Sequence, residues 1–223
     1  MKLASPHWIN TLEWDECHPA ELILENPDDY MAVINDLSLQ NEGQDGQLVF
    51  SENNDILSIE KHGLLIRDIW GININQRKLL NAVIRKLNII SQEEHYSEAL
   101  ELVNNMEKFL SSIEQESMLP LVWDNPEDIT PILKAMGVQI ENAAEPIDRL
   151  IDYARLSQEF LNTKLIILVG VREVLSDINF TALCRDFISS GLNLLLIEPV
   201  AKPILKIEKR LVIDSDHCEL LFR

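Results

Sequence analysis

The sequence predicts an α/β protein whose sheet is interrupted by a run of helices, and three observations carry that expectation. Leu165–Val169 and Leu192–Ile197 are near-continuous apolar runs, as strands of a parallel sheet buried on both faces should be. Short apolar runs in the first third are bounded by turn-rich segments, Asn41-Glu-Gly-Gln-Asp-Gly46 and Glu52-Asn-Asn-Asp55. Between these two regions, from Asn75 to Leu161, apolar residues recur at helical spacing with little strand signal.

Taken in order, Trp8–Trp14 and Glu21–Leu24 read as strands, Asp28–Leu37 as a helix, and Gln47–Phe50 and Asp55–Ile59 as two more strands. A helix from about Glu60 to Trp70 is expected to stop at Gly71. Leu79, Leu80, Val83, Ile84 and Leu87 give the next helix its stripe. Gln92 to Ser117 forms a long polar one carrying Leu100, Val103, Met106, Phe109 and Leu110. Asn125-Pro-Glu-Asp128 reads as a helix start, with Asn125 as N-cap and Pro126 at the first helical position. Pro146–Leu161 is a third long helix, with Ile147, Leu150, Ile151, Ala154, Leu156 and Phe160 facing inward. Phe180–Ser189 fits a crossover helix between the two late strands, and Leu211–Ile213 with Glu219–Phe222 a closing hairpin around Asp214-Ser-Asp216. The domain expectation is an α/β head from 1–72 and 162–223 and an α-helical leg from 73–161.

The chain has 223 residues, a net charge of −18, and 19 basic against 37 acidic residues. Such a balance argues against a protein that coats nucleic acid with its whole surface. It leaves room for a local basic patch, because screening confines each patch to about 8–10 Å. The N-terminal residues carry no apolar run of signal-peptide type, and no stretch approaches the roughly 18 apolar residues that span a bilayer. Cys17, Cys184 and Cys218 form neither a disulfide framework nor a CxxC pair, so a cytoplasmic protein with reduced thiols and no membrane association is expected.

The motif search returns little chemistry. The seven glycines fall in neither GxGxxG nor GxxxxGK[ST], and the turn Glu25-Asn-Pro-Asp-Asp29 offers carboxylates where a phosphate cradle needs backbone N–H groups and a lysine. Asp15-Glu-Cys-His18 and Asp214-Ser-Asp-His-Cys218 mix ligand types without a zinc spacing and read as surface turns. No nucleophile motif is present, so the sequence supports neither an enzyme nor a bound nucleotide. Asp124, Asn125, Glu127 and Asp128 have two readings, a helix cap or a cluster of hard oxygen ligands for Ca²⁺. From Ile72 to Gln92 there is no acid, yet Arg77, Lys78, Arg85 and Lys86 are present. With Lys134 they are either a solvated face or a nucleic-acid contact. Lys202, Lys206, Lys209 and Arg210 form a second basic group, partly offset by Glu208.

In order and spacing, Ile132-Leu-Lys-Ala-Met-Gly-Val-Gln-Ile-Glu141, Lys164-Leu-Ile-Ile-Leu-Val169 and Leu192-Asn-Leu-Leu-Leu-Ile-Glu-Pro199 resemble the ring-forming adaptation proteins of subtype II-A CRISPR systems, the Csn2 family. Leu22-Ile-Leu-Glu-Asn26 and Arg67-Asp-Ile-Trp-Gly-Ile-Asn-Ile-Asn75 add two weaker matches. The resemblance implies a P-loop-ATPase-like head without a phosphate-binding loop, an α-helical leg, and a non-enzymatic homotetrameric ring whose positive hole accepts double-stranded DNA ends. It further implies calcium, no nucleotide, and work beside the spacer integrase complex and the RNA-guided effector nuclease during spacer acquisition in antiviral defence. Lys134 matches the lysine of the family's helix, and Gln139 stands where the family often has a second one. Val122-Trp-Asp-Asn-Pro-Glu-Asp-Ile-Thr130 corresponds to the family's acidic calcium segment with some acids displaced, leaving Asp124, Glu127 and Asp128. Two further readings are an acidic protein-interaction scaffold of the same fold without DNA binding, and an NTPase-like regulatory domain.

Overall fold

The computed structural model describes residues 1–124, 126–203 and 209–222. They divide into two compact units, Met1–Asn73 with Asn142–Arg223, and Ile74–Glu141.

In chain order the first unit begins β1 (Lys2–Ala4), β2 (Leu12–Glu13), β3 (Ala20–Leu24), α1 (Pro27–Asn41), β4 (Val49–Glu52), β5 (Asp55–Ile56), α2 (Ile59–His62) and β6 (Gly63–Ile66). The second unit holds α3 (Arg77–Glu94), α4 (Tyr96–Ser117) and α5 (Thr130–Ala135). The first unit resumes with α6 (Pro146–Leu161), β7 (Leu165–Val169), α7 (Val171–Val174), α8 (Asp177–Ser189), β8 (Asn193–Glu198), β9 (Lys209–Ile213) and β10 (Glu219–Phe222).

Two sheets organise the first unit, and the α/β expectation is met. The larger has the order β10-β9-β3-β8-β7-β6; β3, β6, β7, β8 and β9 run parallel and β10 closes it antiparallel. The smaller, β2-β1-β4-β5, is antiparallel throughout. β3 and β8 are buried at every residue, which is why both read as apolar runs. Ala20, Leu22, Leu24, Leu165, Ile167, Leu195, Ile197, Leu211 and Ile213 share one face of the large sheet. They form a core with Val33 and Leu37 of α1 and with Leu3, Leu12 and Phe50 of the small sheet. The alternate residues turn to the other face, where α7 and α8 pack on β8 and α6 packs on α8.

Three expectations are corrected. The span expected as one helix from Glu60 to Trp70 holds only α2, after which Gly63-Leu-Leu-Ile66 becomes the edge strand beside β7. Gly63 permits that switch, because a Cβ there would lie 2.8 Å from the Ile59 carbonyl oxygen. Trp8–Trp14 yields only the two-residue β2, since the residues before it form a loop tied by Glu219, which accepts from Ile9 and Asn10 N–H at 2.7 Å each. The leg boundary expected at 161/162 falls at 141/142. α6 has the expected ends but belongs to the first unit, where Leu150, Ile151, Tyr153 and Ala154 are buried.

Candidate nucleic-acid interface

The second unit carries the basic residues singled out above. α3 buries Leu79, Ala82 and Ile84 and exposes Arg77, Lys78, Arg85 and Lys86. At 100° per residue, Lys78 and Arg85 share the middle of the exposed face, with Arg77 and Lys86 about 90° to either side. Arg85 Nε donates to the Asn81 carbonyl at 3.4 Å, a bond that leaves its charge uncompensated. Among the described residues none of these four cations, nor Lys134, forms a salt bridge. Exposed, unneutralised cations in a stretch of chain without acids are what a phosphate backbone contacts.

Lys134 stands exposed in the last turn of α5, where a cation complements the helix dipole. The family-like Lys-Ala-Met-Gly run is a helix end: Gly137 is left-handed at φ 66°, and Val138 N–H donates to the Leu133 carbonyl at 3.1 Å. α5 packs on α3, and its flank is pinned by Asn75, whose side-chain amide exchanges two hydrogen bonds with the backbone of Ile140, at 2.8 and 2.9 Å.

The helix expected to start at Asn125-Pro-Glu-Asp128 starts later, at Thr130, and Pro131 takes the early helical position. Asn125 lies outside the described residues. Asp128 orders the turn, accepting from Thr130 N–H at 2.8 Å and from Asn88 Nδ2 at 3.0 Å. Asp124 and Glu127 are exposed, and Asn88 Oδ1 is buried without a partner among the described residues. Among the described residues no three His, Cys, Asp or Glu side chains gather as a metal cluster. The oxygens of Asp124, Glu127 and Asp128, with the orphaned amide oxygen of Asn88 beside Asp128, do fit a hard cation in donor chemistry.

In the first unit the turn after β3 caps its own helix. Asn26 Oδ1 accepts from Asp28 N–H at 2.9 Å, and Asp28 and Asp29 occupy the first turn of α1. The two mixed-ligand segments are side-chain-capped turns: Asp15 Oδ1 takes Cys17 N–H and the His18 ring, and Asp214 Oδ1 takes Asp216 and Cys218 N–H.

Sequence reasoning missed a buried charge network on the large sheet, where Glu21 of β3 lies in register with Arg210 of β9. Glu21 Oε1 accepts from Arg172 Nη1 at 3.0 Å and Oε2 from Arg210 Nε at 2.6 Å, with all three residues at most 5% exposed. Arg172 also stacks over the Phe180 ring and donates to the Pro203 carbonyl, while Arg210 donates to the Lys202 carbonyl. Arg210 therefore belongs to the core and not to a surface basic group. Lys202 pairs with Glu173 at 3.7 Å, and Lys206 and Glu208 lie outside the described residues. The one local signal was a glutamate inside the apolar run Ala20–Leu24.

The described residues thus form an α/β unit with an inserted helical unit whose exposed cations make no salt bridge. Residues 40–217 match the model described as CRISPR-associated protein (Cas_Csn2), and the chain belongs to that family. Among solved structures the chain is similar to a putative ABC transporter ATP-binding protein from Pyrococcus furiosus. The two are 7% identical, with 94% of this chain and 97% of that one covered, at a TM-score of 0.39. No curated protein matches the sequence.

Proposed function

We propose that this CRISPR-associated protein binds double-stranded DNA ends without sequence preference and without turnover, as a tetrameric ring serving spacer acquisition in the cytoplasm. The observation that carries this reading is the exposed basic face of α3, without an acid from Ile72 to Gln92, on which Lys78 and Arg85 are central. In a chain of charge −18, such a face attracts a polyanion only locally, through phosphates. Arg77, Lys86 and Lys134 extend it, and the spacer integrase and the RNA-guided nuclease are the partners that the family suggests.

Assembly is supported by α4, which buries none of its residues. Leu102, Met106, Phe109 and Ile113, spaced by four, three and four, form an exposed apolar stripe on one side of it. Calcium would be held by Asp124, Glu127 and Asp128 with Asn88, drawing the carboxylates together by neutralising their repulsion. No helix among the described residues is long and apolar enough to cross a membrane.

The deciding experiment compares binding of a labelled linear duplex with that of a covalently closed relaxed circle of the same sequence. Threading from an end requires that only the linear form bind. The scaffold reading, favoured by the overall acidity, requires that neither bind at low salt.

A further inference from the structure

The first unit, which holds none of the proposed DNA contacts, contains an open groove of ≈ 850 Å³ between α1, the segments Ser5–Trp8 and Asp45–Leu48, and the β9–β10 turn. Its floor is apolar, built from Leu24, Val33, Leu48 and Ile213, with Trp8 and the half-exposed Leu39. Among the described residues four acids line it, Asp29, Asp36, Asp45 and Glu219, and no lysine or arginine does.

Two of these acids are fixed in place without losing charge. Asp36 accepts from Gln47 N–H at 2.6 Å and Leu48 N–H at 3.1 Å; Glu219 accepts from Ile9 and Asn10 N–H at 2.7 Å each. Neutral donors hold a carboxylate rigid but leave its net negative charge for a ligand. Asp29 meets the His217 ring at 2.8 Å, and Asp45 is exposed with no bond among the described residues. An apolar floor beneath a preorganised anionic rim repels phosphate and a second copy of a strongly acidic chain alike. It complements a segment carrying Lys or Arg around an aliphatic or aromatic anchor.

We propose that this groove is the docking surface for a cationic, apolar-anchored segment of a partner protein. The inference does not depend on the DNA reading, because its residues lie in the first unit and the proposed phosphate contacts in the second.

The test uses the whole protein and two displayed pools of short peptides, one rich in Lys, Arg, Leu and Phe, the other in Asp, Glu, Leu and Phe. The cationic pool should enrich binders, each losing affinity about tenfold or more on Asp45→Lys and on Leu39→Asp, with melting temperature and linear-duplex binding unchanged. Both substitutions are at exposed positions, so the fold is retained. Enrichment of the acidic pool, absence of any binder, or cationic binders indifferent to both substitutions would overturn the assignment. A change of oligomeric state in either variant would overturn it too, by seating a second copy in the groove.

Discussion

Arg172 serves two buried carboxylates at once: its N–H donates to Glu198 Oε1 at 3.0 Å, while its guanidinium donates to Glu21 Oε1 at 3.0 Å. Glu198 Oε2 is buried with no partner among the described residues. Burial, opposed by that N–H and reinforced by the negative charge of Glu21, raises the Glu198 carboxyl from 4.5 to about 7.

A pH signature follows. Folding takes up a proton at Glu198 between pH 4.5 and about 7, so the stability owed to its neutral form is fully present below 4.5 and lost as the pH rises through 7. Relative to Glu198→Gln, the native protein should lose on the order of 3 kcal/mol between pH 4.5 and 8. Denaturant midpoints of both proteins across that range check this; parallel profiles would refute it.

Glu21→Ala should cost about 3–5 kcal/mol, because it removes the buried carboxylate that two buried guanidinium groups share. Glu13→Ala, which breaks a half-exposed pair with Lys2 at 3.0 Å, should cost under about 1 kcal/mol. Equal costs in urea titrations would show that the buried network does not hold the sheet together.

For DNA, reversing Lys78 and Arg85 to Glu should weaken binding to every duplex sequence alike. It should also flatten the slope of log affinity against log salt by about one unit per lost contact. Lys134→Glu should act in the same direction. Titrations by fluorescence anisotropy at several salt concentrations read both effects, and unchanged slopes would remove these residues from the interface.

Met106→Glu combined with Phe109→Glu places charge on the exposed stripe of α4 and should break the proposed tetramer into smaller species while leaving the melting temperature nearly unchanged. Mass photometry decides; an intact tetramer would put the assembly surface elsewhere.

Millimolar Ca²⁺ should raise the melting temperature by several degrees relative to EDTA, and Asp124→Asn with Glu127→Gln should abolish the rise. Both residues are exposed, so their loss tests the cation and not the fold. A rise that survives both substitutions would place the ion on other ligands.

What the sequence revealed depended on range. β7, β8 and α6 were legible almost to the residue, because burial on two faces leaves an uninterrupted apolar run and because Pro146 and the left-handed Asn162 mark the ends of α6. β6 was hidden: four residues directly following a helical turn merge with it into one helical-looking window. Periodicity showed which face of α6 is buried but not against what, and so put the helix in the wrong unit. The exposed cations of α3 could be read from the missing acids around them. The network around Glu21 could not, since its arginines lie 151 and 189 residues away and nothing local links them.

The order of the large sheet has a consequence for how this protein is made. β3 is among the first strands to leave the ribosome, yet its two neighbours, β8 and β9, begin at Asn193 and Lys209. At about 5–20 residues per second, the apolar Leu22-Ile-Leu24 waits on the order of ten seconds for a partner strand. The nascent chain must keep that segment from foreign strands until its neighbours have been made, which makes β3 a natural client for a chaperone.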